Sequence, residues 1–266
     1  MNNIKEAQLL RENREALVQS LNDLGIAADE NTPMSELIGL MKWSAGLRDL
    51  RLACLNKSTG AYSDYSLDEF NALSASGKAQ LVKLGLRIRA ERLDFIISKD
   101  NIYRSNGNTS MPWASSYVDV RNLTNYGAGS TGHLLDVDGE ANTDAILAFG
   151  ETANVTFEAA QQARAYKAST VADGGYDDPT KWSLPAIGQL WLLYKYRKQI
   201  NAALTSFFGT SQLITDDWYW SSSEYDASYA WHVHMSNGYV SYVNKYSAGR
   251  VRAVAPVPLV SVSAAI

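Results

Sequence analysis

The fold of this chain is most constrained by a short segment near its C-terminal end, in which apolar and polar side chains alternate. Residues 231–235 read Trp-His-Val-His-Met, and residues 236–238 read Ser-Asn-Gly. Alternation with a period of two is typical of a β-strand that buries one face, and an Asn-Gly pair favours a tight turn. The segment predicts a strand that enters a hairpin, with His232 and His234 on one face and the apolar residues on the other.

The residues around this strand have the composition of a binding surface. Six of the fifteen tyrosines fall within residues 217–246, where they are mixed with Ser, Asn, Asp, Ala and His. Tyrosine offers a large amphipathic contact at a small entropy cost, and Ser, Gly and Asn adapt their hydrogen bonds. Residues 217–252 carry three acidic and three basic side chains. We therefore expect binding through aromatic contacts rather than through net charge.

The rest of the pattern predicts an α+β fold. Residues 86–89 and 95–97 predict a strand pair, whereas residues 101–150 are rich in Ser, Asn, Gly and Asp and predict loops with short strands. Apolar residues at helical spacing predict one helix that starts at Thr156 and a second, long helix that follows residues 182–185. Two helices followed by a Trp-rich β-region are typical of α+β proteins.

The chain divides into three predicted segments. Leucines at seven-residue spacing near the N-terminus, followed by the Thr32-Pro33 helix start, predict a pair of short helices. Further on, Ser66 and Glu69 have the spacing of a capping box, and Gly85 is predicted to end that helical stretch. The segments are an N-terminal helical hairpin for docking or self-association at 1–46, a helical linker region at 47–84, and a ligand-binding domain at 85–266 with a variable region at about 218–254.

Composition excludes several classes of function. A net charge of −4 with 20% charged residues provides no basic field for nucleic acid. The single cysteine, Cys54, excludes an intrachain disulfide and a Cys-rich zinc site, and we interpret it as a structural thiol. No stretch approaches the roughly 20 apolar residues that span a bilayer, so membrane insertion is not expected. The N-terminus lacks the features of a signal peptide, so we expect synthesis in the cytoplasm, followed by display on a phage particle or export by a non-classical route.

Several short motifs, taken in order, resemble a known family. The chain is similar to the C-type-lectin fold as used by the variable proteins of diversity-generating retroelements, which occur in phage tails and bacterial genomes. The resemblance covers about residues 85–256, the size of one domain. Residues 138–146 also resemble a segment of gut-bacterial members. The motifs are Phe-Glu-Ala-Ala at 157–160, Trp-Ser-Leu-Pro at 182–185, Tyr-Trp-Ser-Ser-Ser-Glu at 219–224 and Gly-Arg-Val-Arg-Ala-Val at 249–254.

The resemblance implies that a reverse transcriptase diversifies one surface of the protein at adenine-containing codons, while a scaffold stays fixed. It implies no catalytic residue, no metal and no cofactor. The positions that would vary and bind ligand are Tyr219, Asp226, Ala227, Ser228, Tyr229, His232, His234, Ser236, Tyr239, Ser241, Tyr242, Asn244, Tyr246, Ser247 and Ala248. The positions that would hold the scaffold are Trp220, Glu224, Trp231, Val233, Val240, Arg250 and Val251.

The resemblance also implies a partner and a setting. The expected partner is a protein or a glycan on a bacterial cell surface, bound by a phage or prophage tail protein. Residues 1–46 would dock to the tail or assemble copies, for example as a trimer, so that several weak sites act together.

Two local patterns depart from regular expectation. Val240 and Val243 are three residues apart, which predicts a bulge or a loop after the turn rather than a regular strand. Ala186 stands where the family usually has Ser or Thr to cap the second helix, although Gln189 is kept. The missing hydroxyl predicts a loss of about 1 kcal/mol, with the helix still formed.

Two alternative functions remain open from the sequence. His232 and His234, together with the acidic residues between Asp136 and Asp144, would suit a metal-dependent lectin or an enzyme. The same acidic residues are also typical of turns and helix caps, which we favour. A structural module of a cell envelope or particle is the other alternative, in which the tyrosines would be buried against a fixed partner.

Overall fold

A computed structural model describes residues 46–258 except 92, 105, 128–131, 174–175 and 210–213, together with Arg14, Glu15, Val18 and Asn31. The chain separates into two compact units, residues 1–48 with 89–92 and residues 49–88 with 93–266. The predicted helical hairpin at 1–46 lies almost wholly outside the described residues. Nearly all described elements belong to the second unit. None of the described helices is long and apolar enough to cross a membrane.

The described residues form α-helices and antiparallel sheets, which confirms the predicted α+β class. Single turns of 3-10 helix occur at His133–Leu135 and Val171–Asp173. The strands are β1 (Leu47–Asn56), β2 (Tyr62–Tyr65), β3 (Leu81–Ala90), β4 (Leu93–Ser98), β5 (Trp218–Glu224), β6 (Tyr229–His234), β7 (Val240–Asn244) and β8 (Val254–Pro256). The helices are α1 (Leu67–Ala72), α2 (Ala75–Ala79), α3 (Gly139–Ala153), α4 (Glu158–Ala165), α5 (Ile187–Lys195) and α6 (Arg197–Phe208).

The strands form two sheets. The larger has the order β2-β1-β3-β4-β8, and its last strand comes from the end of the domain, with Ile96 of β4 opposite Ala255. The smaller sheet has the order β5-β6-β7. Trp113, Phe157, Trp182 and Trp220 are fully buried members of one core cluster, which joins residues from the loops, helices α3 and α4 and both sheets.

The helical prediction for residues 47–84 is wrong. The capping box at Ser66 and Glu69 is confirmed, but it opens only the short helix α1. The segment otherwise consists mainly of β1, β2 and the start of β3, and it belongs to the same compact unit as residues 93–266 from Asp49 onwards. Gly85 lies within β3, where an added Cβ would be 1.8 Å from the carbonyl oxygen of Ile97. The glycine permits this close approach of two backbones rather than ending a helix.

The helices after residue 100 differ from expectation at two points. Helix α4 is confirmed, but residues 101–150 are rich in Ser, Asn, Gly and Asp and predict loops with short strands where the structure has helix α3. Its buried residues Thr143, Ile146 and Gly150 recur at helical spacing, and Asp138 caps its start by accepting the Ala141 N–H at 3.0 Å. The second predicted helix is two helices, α5 and α6, because the chain leaves helical geometry at Tyr196.

The hairpin of β6 and β7 is more regular than predicted. The turn at residues 236–238 is confirmed, and Gly238 has a φ of 73°. Strand β7 then pairs with β6 without a register shift, from Val233 opposite Val240 to Tyr229 opposite Asn244. The bulge predicted after the turn is therefore wrong. The register instead shifts between Trp220 and Glu224 on β5.

Candidate aromatic binding surface

The register of the small sheet decides which side chains share a face. Directly opposite residues lie on the same face, and Trp218 is opposite His234 while Trp231 is opposite Tyr242. Trp218, the two histidines and Ser241 therefore occupy one face, and Tyr229, Trp231 and Tyr242 occupy the other. Both faces are partly covered. The face that carries Trp218 also carries Trp220, which belongs to the core cluster, and helix α5 packs on the sheet. The exposed aromatic residues are thus divided between two separate surfaces.

The surface on the face of Tyr229 and Tyr242, which we name the tyrosine surface, consists of Tyr225, Tyr229, Trp231 and Tyr242. The rings of Tyr225 and Tyr242 stack with centroids 3.7 Å apart, and Tyr229 lies at a steep angle 5.6 Å from Tyr242. Tyr229 and Tyr242 are 37% and 44% exposed. Trp231 is buried beneath them, 5.6 Å from Tyr242, and stacks against His133 at 4.2 Å. The surface can offer ring faces, ring edges and hydroxyl groups to a ligand without a net charge.

The second surface, which we name the Trp218 surface, consists of Trp218, His234 and Tyr239, with His232 buried beneath the indole ring. The indole ring of Trp218 stacks on His232 at 3.9 Å and meets His234 edge-on at 4.8 Å. Tyr239 is 61% exposed and lies 6.1 Å from Trp218. A Cβ added to Gly238 would be 2.1 Å from the ring of Tyr194, so the turn packs closely on the C-terminal end of α5.

A third exposed pair extends the aromatic area. Tyr117 and Tyr246 have ring centroids 4.6 Å apart, and the Asn244 amide donates to the Tyr117 hydroxyl. Tyr117 comes from the loop between β4 and α3, about a hundred residues before the hairpin.

The structure places most of the predicted ligand-binding residues at the surface. Exposed are Ala227, Tyr229, Ser236, Tyr239, Tyr242, Tyr246 and Ala248; half-buried are Asp226, Ser228, His234, Ser241, Asn244 and Ser247. Buried are Tyr219 and His232. For these two residues the structure contradicts a place on the ligand-binding surface.

Tyr219 is fully buried, on the face opposite to its neighbours Trp218 and Trp220. Its hydroxyl accepts the Thr215 N–H at 3.2 Å and lies 3.5 Å from the Asn101 side chain. Tyr219 is therefore a structural residue that pins the start of β5. His232 is 7% exposed because Trp218 covers it. Burial, with a smaller contribution from His234, lowers the pKa of His232 to about 4, so the imidazole is neutral at pH 7.

Some of the half-buried residues in the predicted variable set also hold the turns. The Asp226 carboxylate accepts the N–H groups of Ser228 at 2.7 Å and Tyr229 at 2.9 Å. Asn244 accepts the N–H of Tyr246 at 2.9 Å. Both are local side-chain-to-backbone turns, which shape the loops that present the tyrosines.

The predicted scaffold residues lie beneath these surfaces. Trp220, Glu224, Trp231, Val233 and Val251 are buried, and Val240 and Arg250 are half-buried. The Trp220 indole N–H donates to the Met111 carbonyl at 2.8 Å, and Arg250 binds Asp217 at 2.6 Å.

Glu224 forms an ion pair with Lys245 in which neither side chain has solvent exposure. Lys245 also donates to the Val118 carbonyl at 2.7 Å and lies 4.8 Å from the Trp113 ring. Glu224 accepts the Val120 N–H at 3.2 Å. Burial raises the pKa of Glu224 to about 7 and lowers the pKa of Lys245, because both charged forms lose water. The pair ties the end of β7 to β5 and to the loop at 113–120.

The acidic segment proposed for a metal-dependent alternative has partners within the protein. Asp138 caps α3, and Asp144 binds Arg164 and Lys181. Asp136 accepts the Ser223 hydroxyl at 2.6 Å, and burial raises the pKa of Asp136. Among the residues that the structure describes, no three His, Cys, Asp or Glu side chains form a metal-binding group.

Ser223 also replaces the missing cap of α5. Its hydroxyl accepts the N–H of Ile187 at 2.8 Å, while Gln189 accepts the N–H of Ala186 at 3.0 Å. The cap that Ala186 lacks is therefore supplied from β5, so the helix start loses less than its sequence predicts.

Sequence reasoning did not identify several residues of this region: Trp218, Tyr225, Lys245, Tyr117 and His133. The first three lie within or beside the predicted variable segment, and their aromatic or basic character was the only available signal. Tyr117 and His133 come from the polar stretch 101–150, where no local pattern places them beside the hairpin.

Comparison with known proteins assigns the domain to a family. The model of the Lcl C-terminal domain matches residues 106–255, which is more than half of the chain. The chain belongs to the Lcl C-terminal domain family. This Lcl C-terminal domain contains both aromatic surfaces and the Glu224–Lys245 pair. No curated protein matches the chain significantly.

A solved structure of a fimbrial protein from Bacteroides ovatus is similar to this chain. The two share 16% identity over 63% of this chain and 36% of the fimbrial protein, with a TM-score of 0.45. The Lcl C-terminal domain chain thus spans about a third of that protein's length.

Proposed function

We propose that this protein is a non-enzymatic, adhesin-like ligand-binding protein, and that the tyrosine surface contacts the ligand. The observation that carries the proposal is the arrangement of Tyr225, Tyr229 and Tyr242 over a buried Trp231. Exposed aromatic rings on a rigid base lose little conformational entropy on binding, and such residues dominate binding energies in protein interfaces.

The finer proposal is that the surface is diversified by a retroelement on a C-type-lectin-like fold. It is supported by the resemblance of the motifs and by the position of the predicted variable residues. Seven of these residues are exposed, whereas most of the predicted scaffold is buried. An exposed side chain can change with little effect on stability, so variation at these positions is compatible with folding.

We further propose that the ligand is a protein or a glycan on a bacterial cell surface, and that the protein is presented on a phage or prophage particle. Residues 1–46 would attach it to the particle or assemble several copies. Several copies would raise the overall affinity well above that of one site.

Binding to cells tests the role of the tyrosine surface. Fluorescently labelled full-length protein is incubated with a panel of bacterial strains, and bound protein is measured by flow cytometry. The double variant Tyr229→Ala/Tyr242→Ala is expected to lose at least about tenfold in affinity, as for a pair of hot-spot aromatics. Tyr103→Ala is the matched control, because Tyr103 is 43% exposed but lies outside both aromatic surfaces. Equal binding by the double variant and the control would refute the proposed surface.

DNA sequence tests the retroelement. We expect a near-copy of the DNA that encodes residues 218–254, which differs from the gene only where the copy has adenine, next to a reverse transcriptase gene. Sister genes that vary at Tyr229, Tyr239 and Tyr242 but keep Trp220 and Glu224 would support diversification. Variation that is spread evenly over the domain would contradict it.

A further inference from the structure

The two sheets formed by the described residues have four outer edges, and three of them are covered or blunted. Strand β2 is only four residues long and carries Asp64, which forms ion pairs with two arginines. Strand β8 ends at Pro256, and Val254 exchanges hydrogen bonds with Ser183 at 2.8 and 2.9 Å. Charged residues, proline and short length are the usual protections of a sheet edge against further pairing.

The outer edge of β5 is also occupied. Trp220 donates its N–H to the carbonyl of Arg250 at 2.9 Å, and Arg250 donates to the carbonyl of Trp218 at 2.8 Å. Near the other end of the strand, Tyr126 donates to the carbonyl of Glu224 at 3.0 Å. The backbone of β5 therefore has partners on both sides.

Strand β7 is the exception. It reads Val-Ser-Tyr-Val-Asn, without a charge or a proline, and its pairing with β6 has no bulge. Its nearest charged neighbour in sequence, Lys245, is buried against Glu224. At five residues the strand is almost as short as β2, but its edge has no charge, proline or bulge, although it belongs to the hairpin that carries the exposed tyrosines.

The direction of the backbone groups follows from the hydrogen bonds at both ends of the hairpin. Lys245 donates to the carbonyl of Ser228 at 3.0 Å, and His234 donates to the carbonyl of Tyr239 at 2.9 Å. Odd-numbered residues of β7 therefore turn their N–H and C=O groups towards β6, and Val240 and Tyr242 turn theirs outward. Apart from a 3.5 Å contact from the Ser241 hydroxyl to the Tyr242 carbonyl, no described residue pairs with these outward groups.

We propose that the outer edge of β7 takes up an extended segment of a partner polypeptide as a fourth strand of the small sheet. The inference rests on the proposed ligand-binding function and deepens it by assigning the ligand to the proteins rather than to the glycans. Val240 and Tyr242 together offer two N–H donors and two C=O acceptors, which an extended backbone complements. On one face of the sheet, the side chains of the added strand would lie beside Tyr242, with Tyr229 one strand further away on β6.

This mode of binding suits a surface whose side chains change. Backbone hydrogen bonds give affinity that does not depend on side-chain identity. Specificity comes from contacts between alternate side chains of the added strand and the neighbouring residues of the sheet. Replacing the side chain of Tyr242 therefore changes specificity but leaves the edge able to pair. Because the edge is uncharged, the complementary segment is neutral and rich in β-branched and aromatic residues.

A proline variant at an outward-facing position distinguishes the contribution of the backbone to binding from that of the side chain. Tyr242→Ala removes only the side chain, whereas Tyr242→Pro also removes the outward N–H without taking a bond from the β6 ladder. A random peptide library is selected against the full-length protein, and the enriched peptides are measured by fluorescence polarisation with both variants. We expect the Pro variant to bind about tenfold more weakly than the Ala variant. Equal affinities would overturn strand addition and leave the proposed function intact.

Amide hydrogen exchange gives a second readout that needs no variant. Added peptide is expected to slow exchange of the Val240 and Tyr242 N–H groups, while those of Ser241 and Val243 are already protected by β6. Unchanged exchange at Val240 and Tyr242 in the peptide complex would overturn the inference.

Three further outcomes separate this inference from the proposed function. Binding to a glycan array that requires Tyr229, without enrichment of peptides, would overturn strand addition but support the proposed function. Light scattering that shows a dimer, lost in Tyr242→Pro, would assign the edge to a second copy and overturn the inference. Ligand binding that survives both Tyr229→Ala and Tyr242→Ala unchanged would refute the proposed function itself.

Discussion

Replacement of Glu224 by Gln tests how the hairpin is held to the domain. The amide keeps the size of the side chain and can still accept the Val120 N–H, but it leaves the Lys245 ammonium without a counter-charge. The other groups in contact with that ammonium, the Val118 carbonyl and the Trp113 ring, carry no charge, and the carboxylates of Asp226 and Asp119 attract it more weakly than Glu224 does. Because the site excludes solvent, the expected loss is about 3–5 kcal/mol in the free energy of unfolding.

Replacement of the other partner, Lys245→Met, is expected to cost less unfolding free energy at low pH than at high pH. Burial already raises the pKa of Glu224 to about 7, above its ordinary value of 4.5. A raised pKa in the folded state means that the stabilising contribution of the protonated carboxyl is present below pH 4.5 and is lost as the pH rises through about 7. Lys245 lowers this pKa, so in the Met variant the carboxyl stays protonated to a higher pH than in the wild type, and the cost of the replacement increases from pH 5 to pH 8.

The double variant Glu224→Gln/Lys245→Met buries no charge, so it is expected to be more stable than the sum of the single changes by about 2 kcal/mol. Equilibrium unfolding in guanidinium chloride, followed by tryptophan fluorescence, gives the free energies at pH 5 and pH 8. Glu151→Gln, at an exposed position on α3, is the control for a change of charge alone. Single changes that add within about 0.5 kcal/mol would refute a coupled buried pair.

Three other changes follow from the structure. The pKa of His232 is lowered to about 4, so the stabilising contribution of the neutral imidazole is present above pH 6.5 and lost as the pH falls towards 4. Relative to His232→Asn, the wild type should lose about 3 kcal/mol of unfolding free energy over this range. Curves of unfolding free energy against pH that run parallel for the two proteins would contradict the buried imidazole. In Gly107→Ala the new Cβ meets open space, and the φ of 82° should cost about 1 kcal/mol of unfolding free energy. In Gly238→Ala the new Cβ also lies 2.1 Å from a tyrosine ring, which should cost about 1–3 kcal/mol more and give the lower thermal unfolding midpoint of the two variants. Ser223→Ala removes the hydroxyl that accepts a hydrogen bond at the start of α5 and should cost about 1–2 kcal/mol of unfolding free energy, measured in denaturant. Adding Ala186→Ser should restore part of this loss, and no restoration would mean that the two hydroxyls are not equivalent.

Local patterns predicted the elements that depend on neighbouring residues. The alternation at 231–235, the turn at 236–238 and the capping box at Ser66 were all recognisable, because period, turn chemistry and capping are set within a few residues. Helix α4 was recognisable for the same reason. The α+β class followed from these elements together.

Elements that depend on distant partners were not predictable. Strand β1 lies in a segment predicted as helical, and only its place in the five-stranded sheet buries Leu52 and Cys54. Helix α3 mixes polar and apolar residues, and only packing reveals that Thr143, Ile146 and Gly150 form its buried face. In both cases the pattern was short or mixed, and long-range contacts decided the outcome.

The candidate site shows the same division. The sequence by itself determined that Trp231 and Val233 share one face of β6 and that His232 and His234 share the other, because side chains alternate along any strand. Only the tertiary structure decided which part of each face stays open. Trp218 covers His232, and Tyr219 turns into the interior, since burial depends on the elements that pack above and below the sheet rather than on the alternation itself.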